Sequence, residues 1–260
     1  LDYRMAVYAA QVYSMDYNIG RVIDLLEQRG DLDNTLIMFL SDNGGCAEPY
    51  DDLGGKDFSM INNENYSGAV SYGQGWANAS NTPFRRFKVW VNEGGISTPL
   101  VVHWPRGQGT AAGSWVRSPA WVPDLMPTVL EAAGATYPAS HNGYDITPYA
   151  GQSIVPALRN GSLDRQRWMF WEHMNHKAVR QDDWKAVLER EPDGPGQWQL
   201  FDMSEDRNEM HDLAKQYPDQ LTRMVSDWEE WAQNSHVYPK PPKLEVPNAP
   251  VPGWPAYREE

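Results

Sequence analysis

Asp42 and Asn43 stand side by side, followed by Gly44 and Gly45, directly after the apolar run Thr35-Leu36-Ile37-Met38-Phe39-Leu40. A carboxylate and an amide oxygen are hard donors suited to calcium or magnesium. In open α/β sheets the carboxyl ends of strands border the ligand crevice, so their place in the chain fits that use. The same string is also an ordinary turn sequence, because Asn tolerates left-handed backbone and Gly supplies it freely. A second group lies 46 positions further on, where Lys88 sits in Arg85-Arg86-Phe87-Lys88-Val89-Trp90-Val91-Asn92-Glu93-Gly94-Gly95-Ile96. Three cations within four positions stand out in a chain of net charge −13. Lysine is a compact point charge that suits a tetrahedral oxyanion, and paired glycines allow backbone to approach closely beside it. The competing explanation is a solvated basic edge on a strand.

Among the six histidines, His103 ends an apolar run and has a purely structural alternative, satisfying a local carbonyl. His173 and His176 flank a turn. The single cysteine, Cys46, rules out an intrachain disulfide framework and reads as a buried or loop thiol. Tryptophan is abundant, with 12 copies, yet aromatics at alternating strand positions are mostly core.

The elements that must position these residues follow from periodicity. Met5, Ala9, Val12, Met15, Ile19, Val22, Ile23 and Leu26 recur at helical spacing, which predicts one amphipathic helix over 3–29 stopped by Gly30. The uninterrupted apolar runs at 35–40 and 99–104 predict strands covered on both faces, as in a parallel sheet. Residues 41–83 lack periodicity, as expected of a ligand-lined loop, and order resumes at 87–91. A helix over 123–133 ends at Gly134. Beyond about residue 160 the pattern changes to short strands at 168–173, 177–180, 184–190 and 198–202, then a helix over 218–234 with Leu221, Met224, Val225, Trp228 and Trp231 on its apolar face. The proline-rich stretch 237–260 is expected to run extended. The domain organisation is therefore 1–160 as an α/β part, 161–236 as a small antiparallel sheet with one helix, and 237–260 as a tail.

Bulk properties narrow the function. With 41% hydrophobic and 22% charged residues the composition is globular, and no apolar run reaches the ~20 residues of a spanning helix. A net charge of −13 argues against nucleic acid, which needs a cationic surplus. Any anion site in such a chain must be a local basic pocket.

Taken together, Ser-Asp-Asn-Gly-Gly after a strand, Lys-x-x-x-x-Glu-Gly-Gly-Ile-x-x-Pro-Leu-Val-Val-x-Trp-Pro, Trp171-Glu172-His173 with Ala178-Val179-Arg180 and Asp183-Trp184-Lys185, and Leu200-Phe201-Asp202-Met203 with Asn208-Glu209 and Asp212-Leu213-Ala214 resemble the type I (formylglycine-dependent) sulfatases, in family order. The resemblance runs from the first helix to about residue 234 and matches the C-terminal half of that family. It implies an alkaline-phosphatase-like α/β sheet with flanking helices, present in part, plus a small C-terminal antiparallel sheet with one helix. It implies Asp42 and Asn43 as two calcium ligands, with magnesium as the other cation such oxygens suit, and Lys88 as the lysine that contacts the sulfate and its leaving oxygen. His173 and His176 fall where that family's C-terminal subdomain meets substrate.

The family's Cys/Ser-x-Pro-x-Arg nucleophile motif does not occur here, and Cys46 lacks the proline and arginine at the required offsets. The formylglycine, the paired aspartates of the calcium site and a mid-chain histidine are expected upstream of Leu1. The expectation is a sulfuric ester hydrolase fragment, inactive alone, acting on a sulfated small molecule or carbohydrate with a complementing N-terminal segment or chain. Periplasmic or extracellular location is implied by the resemblance alone. Two alternatives stay open: a phosphate or phosphonate ester hydrolase of the alkaline phosphatase superfamily, and a non-catalytic carbohydrate-binding or partner-binding module.

Overall fold

The computed structural model describes residues 2–48, 72–163, 167–190 and 196–238; the expected tail, apart from its first residues, lies outside them. The chain divides into two compact units, one drawing on 1–16, 42–98 and 170–260, the other on 17–41 and 99–169. Helix α1 (Asp2–Arg29) forms as the periodicity predicts, with Gly30 beyond it at φ 70. Several residues of its expected apolar face are nonetheless exposed, Val22 by 57% and Met15 by 45%.

In the second unit, β1 (Ile37–Leu40) pairs with β2 (Leu100–His103) in antiparallel register, Ile37 opposite His103 and Leu40 opposite Leu100. This corrects the expectation of two parallel strands buried on both faces. An apolar run alone does not encode strand direction, and here alternate side chains part to opposite faces. Val102 packs with Leu36, Trp104, Val155, Leu158 and Ala132, while Phe39 and Val101, opposite one another, are 42% and 60% exposed. Helix α4 (Leu125–Ala133) ends where Gly134 adopts φ 63. Its start is fixed by buried Asp124, which accepts hydrogen bonds from the Trp121 and Gln152 backbone amides at 2.7 and 2.9 Å and pairs with Arg167. A two-residue ladder of β3 (Ser140–His141) and β4 (Tyr144–Asp145) and the short helix α5 (Val155–Asn160) complete this unit.

The first unit contains a four-stranded sheet in sequence order: β5 (Trp168–His173), β6 (His176–Gln181), β7 (Trp184–Leu188) and β8 (Trp198–Asp202). Met174 and Asn175 both have positive φ, 51 and 71, as a tight two-residue hairpin requires. Helix α6 (Pro218–Asn234) buries Met224, Trp228 and Ala232 completely. It is tied to the sheet where Trp228 Nε1 donates to the Trp171 carbonyl at 3.0 Å and Phe170 stacks on Trp231. Val91, Ala178, Val187, Phe201 and Met203 form the core beneath. This small antiparallel sheet with its helix is the C-terminal arrangement expected from sequence. No described helix is long and apolar enough to cross a membrane.

Candidate active site

The two motifs singled out in the sequence are laced together by backbone. Gly44 N–H donates to Gly95 O at 2.9 Å, and Lys88 N–H donates to Gly45 O at 3.0 Å. Gly94 N–H in turn donates to Arg85 O at 3.0 Å, so the segment 85–95 folds back on itself. Glycine is required at these crossings. A Cβ on Gly44 would stand 1.8 Å from Gly94 O, and one on Gly95 would stand 2.0 Å from Trp90 O. Residues 93–96 make a single helical turn, α3 (Glu93–Ile96).

Residues 87–91, expected to be ordered like a strand, are instead a strained loop. Arg86 and Val89, two and one positions from Lys88, have φ 70 and 90. Positive φ at a β-branched residue is rare and costly, and such strain gathers at functional sites. Asn81 clamps the same junction: its Oδ1 accepts from Gly45 N–H at 3.0 Å and its Nδ2 donates to Arg86 O at 3.1 Å. It follows α2 (Gly73–Ser80), a helix in a stretch that showed no sequence periodicity.

Lys88 Nζ lies 2.8 Å from Glu48 Oε2, which also accepts from Cys46 Sγ at 3.2 Å. The hydrogen bond to Glu48 raises the Lys88 pKa, outweighing its partial burial, so the ammonium form is secured. Burial pushes the Cys46 thiol up as well, which keeps it protonated and a poor nucleophile. Asp42 is exposed, and the Asn43 amide nitrogen is engaged with Gly44 O at 2.9 Å, leaving the amide oxygen as the end suited to a cation. Calcium takes six to eight oxygens, and among the described residues no cluster of three or more acidic, histidine or cysteine side chains could hold a metal. Asp42 and Asn43 offer two oxygen donors of the kind a divalent cation takes, too few by themselves to hold one.

His176 is buried, its Nδ1 accepts from the Arg190 amide at 3.0 Å, and its ring lies 4.3 Å from that of Trp90. Burial lowers its pKa. His173, across the hairpin, is exposed. Pattern reading missed the support under the loop. Lys185, 0% exposed, contacts Glu93 Oε1 at 2.9 Å and Glu209 Oε1 at 2.8 Å, and Glu209 Oε2 accepts from the Glu93 amide at 3.0 Å. Arg85 donates to Glu209 O at 2.8 Å and to Glu189 at 2.7 Å, while Arg86 also pairs with Glu189. Burial alone would raise the Glu93 pKa; the Lys185 ammonium overcomes it and holds it at about 2.

The chain has counterparts among known proteins. Residues 2–135 match the family model described as Sulfatase, and residues 85–232 match that of the N-sulphoglucosamine sulphohydrolase C-terminal region. An uncharacterized sulfatase of Schizosaccharomyces pombe is 34% identical over 86% of this chain and 42% of its own length. The arylsulfatase of Klebsiella aerogenes is 34% identical over 58% of this chain and 34% of its own. A crystal structure of Ps i-CgsB in complex with k-i-k-neocarrahexaose superposes with TM-score 0.64 at 27% identity, covering 89% of this chain and 44% of that one. The chain thus spans about two fifths of the length of such relatives.

Proposed function

Because this chain belongs to the sulfatase family, we propose that Lys88, Asp42 and Asn43 serve the hydrolysis of a sulfate ester, completed by a complementing N-terminal segment or chain. The observation that carries this is the direct lacing of the Lys88 loop to the Asp42-Asn43-Gly44-Gly45 segment, through Gly44 to Gly95 and Lys88 to Gly45. That lacing fixes a lysine and two cation-suited oxygens on one backbone frame.

Lys88 binds the sulfate oxygens and stabilises charge on the leaving oxygen, as a preorganised cation does when aimed where charge develops. Glu48 pairs with that ammonium, so an incoming sulfate must displace or share it. Asp42 and Asn43 hold a divalent cation, calcium with magnesium as the alternative, alongside ligands from elsewhere. A cation held there would supply Lewis-acid polarisation to a formylglycine nucleophile contributed from elsewhere. Cys46, a protonated thiol outside the nucleophile motif, takes no part in bond making. Of the two histidines, His173 is exposed at the β5–β6 hairpin and is the one placed to meet substrate, while His176 is buried against Trp90. Within this proposal the organisation is 1–160 for the catalytic part, 161–236 for the sheet-and-helix subdomain and 237–260 for the tail, and the protein acts in the periplasm or outside the cell.

The substrate class is a sulfated small molecule or carbohydrate, in keeping with the oligosaccharide bound by Ps i-CgsB. The test is turnover by the full-length protein of an aryl sulfate against the matching aryl phosphate, with and without a chelator. Sulfate turnover that is lost with chelation and restored by calcium is expected. Preferential phosphate turnover would overturn the proposal.

A further inference from the structure

Lys88 stands on backbone that few residues adopt unaided. Arg86 and Val89, on either side of it, have φ 70 and 90, and such conformations persist only where the surrounding contacts over-determine them. The Lys88 amide is held by Gly45 O and the Gly94 amide by Arg85 O, each at 3.0 Å. Neither bond restrains the side chains that flank the turn, but one carboxylate does. Glu189, the residue that follows β7, accepts through Oε1 from Arg85 at 2.7 Å and from Asn92 Nδ2 at 3.1 Å, and through Oε2 from Arg86. It thus grips two residues before Lys88 and one after it.

A carboxylate offers about four lone-pair sites, so a single group can serve three donors. The two bonds to guanidinium are charge-assisted and roughly twice as strong as neutral ones. Arg85 and Arg86 are adjacent cations, and the shared carboxylate offsets their mutual repulsion. The next residue adds a further tie: the Arg190 amide donates to His176 Nδ1 at 3.0 Å, and the His176 ring lies against Trp90. Lys185, Glu93 and Glu209 belong to the interior, with side chains at most 4% exposed, whereas Glu189 is 15% exposed and its arginines 30% and 36%. Removing Glu189 therefore leaves cations that water can reach, not an unpaired charge in the core.

We propose that Glu189 is a positioning residue for the reaction at Lys88. From the end of the C-terminal sheet it fixes both flanks of the loop, and so sets where the ammonium stands. A misplacement of about 1 Å at a reacting centre can cost on the order of a hundredfold in rate. The effect of Glu189 on chemistry rests on the sulfate ester reading of the Lys88 site; its hold on the loop does not.

The test is a double-substitution cycle in the full-length protein, with kcat and KM for an aryl sulfate measured in Glu189→Ala, Lys88→Ala and their combination. Glu189→Ala is expected to lower kcat/KM about tenfold to a hundredfold. Once Lys88 is already alanine, the same change should add less than about twofold, because Glu189 acts through that lysine. Glu189→Gln keeps an acceptor oxygen and should recover part of the loss. Equal losses in both backgrounds would overturn the proposal, since a general structural defect is indifferent to Lys88. Amide hydrogen exchange on the same proteins gives a readout independent of turnover, and Glu189→Gln carries both measurements if the alanine variant does not fold. Loss of Glu189 should speed exchange at the Lys88 and Gly94 amides while the four-stranded sheet stays protected; unchanged exchange at both amides would overturn the proposal. If the parent protein turns over sulfate esters and the losses are additive, the cleavage reading stands and the role of Glu189 falls. If the parent protein turns over no sulfate ester, the cleavage reading falls, while faster exchange at those two amides still sustains Glu189 as the clamp of the loop.

Discussion

Lys185 is the residue on which the local electrostatics turn. It is fully buried between Glu93 and Glu209, so neither carboxylate is left as an unpaired charge in the interior. Removing one member of such a set is costly because the others stay behind: Lys185→Met should lower stability by about 3–5 kcal/mol, measured by urea unfolding. The pH dependence follows from Glu93, whose pKa falls from 4.5 to about 2 in the folded chain. Its contribution is fully present above pH 4.5 and is lost as pH falls from about 4.5 towards about 2, on the order of 3 kcal/mol in all. A Glu93→Gln variant should show a flatter loss of stability through that window; an identical acid profile would contradict the assignment. At this scale the sequence was informative only where a residue belonged to a motif. Asp42, Asn43 and Lys88 could be picked out from type and spacing, whereas Glu48 and Asn81 could not. Their partners lie 40 and 36 positions away, and a lone Glu or Asn carries no pattern of its own.

At the scale of elements, the decisive feature is the loop 85–95 folded flush against Gly44 and Gly45. Gly94→Ala would place a Cβ 2.2 Å from Arg86 O and 2.3 Å from Arg85 O, both backbone atoms that cannot swing aside. The variant should lose activity through displacement of Lys88 while the four-stranded sheet persists, visible as retained far-ultraviolet dichroism with reduced turnover. Asn81→Ala removes one clamp rather than creating a clash, and should give a smaller loss, about 1 kcal/mol for each hydrogen bond released. Helices α1, α4 and α6 and all four strands of the C-terminal sheet were legible, because amphipathic period and turn residues mark them. The pairing of β1 with β2 was not, since two continuous apolar runs specify burial but not direction. The strained loop is hard to tell from a strand for a related reason: its Phe, Val and Trp residues suit one, and the glycines after them permit the fold-back.

For the whole molecule, the apolar surface is the telling quantity. Val22 and Leu25, one turn apart on α1, and Phe39 and Val101, opposite one another across β1 and β2, are each at least 40% exposed, apolar neighbours of the kind a covering surface buries. The 260-residue chain expressed by itself should bind a hydrophobic dye strongly and self-associate, and the full-length protein should not; equal, weak dye binding by both would count against a complementing segment. In a chain of net charge −13 an anion site needs local cations, and loop 85–88 carries three of them. The central claim is that Lys88 stabilises sulfate transfer there, and it is tested most directly by steady-state turnover of an aryl sulfate by the full-length enzyme and its Lys88→Ala variant. We predict a loss of about 3 kcal/mol in transition-state stabilisation, roughly a hundredfold or more in kcat/KM, with the melting temperature little changed. Turnover by Lys88→Ala close to that of the parent enzyme would contradict the account.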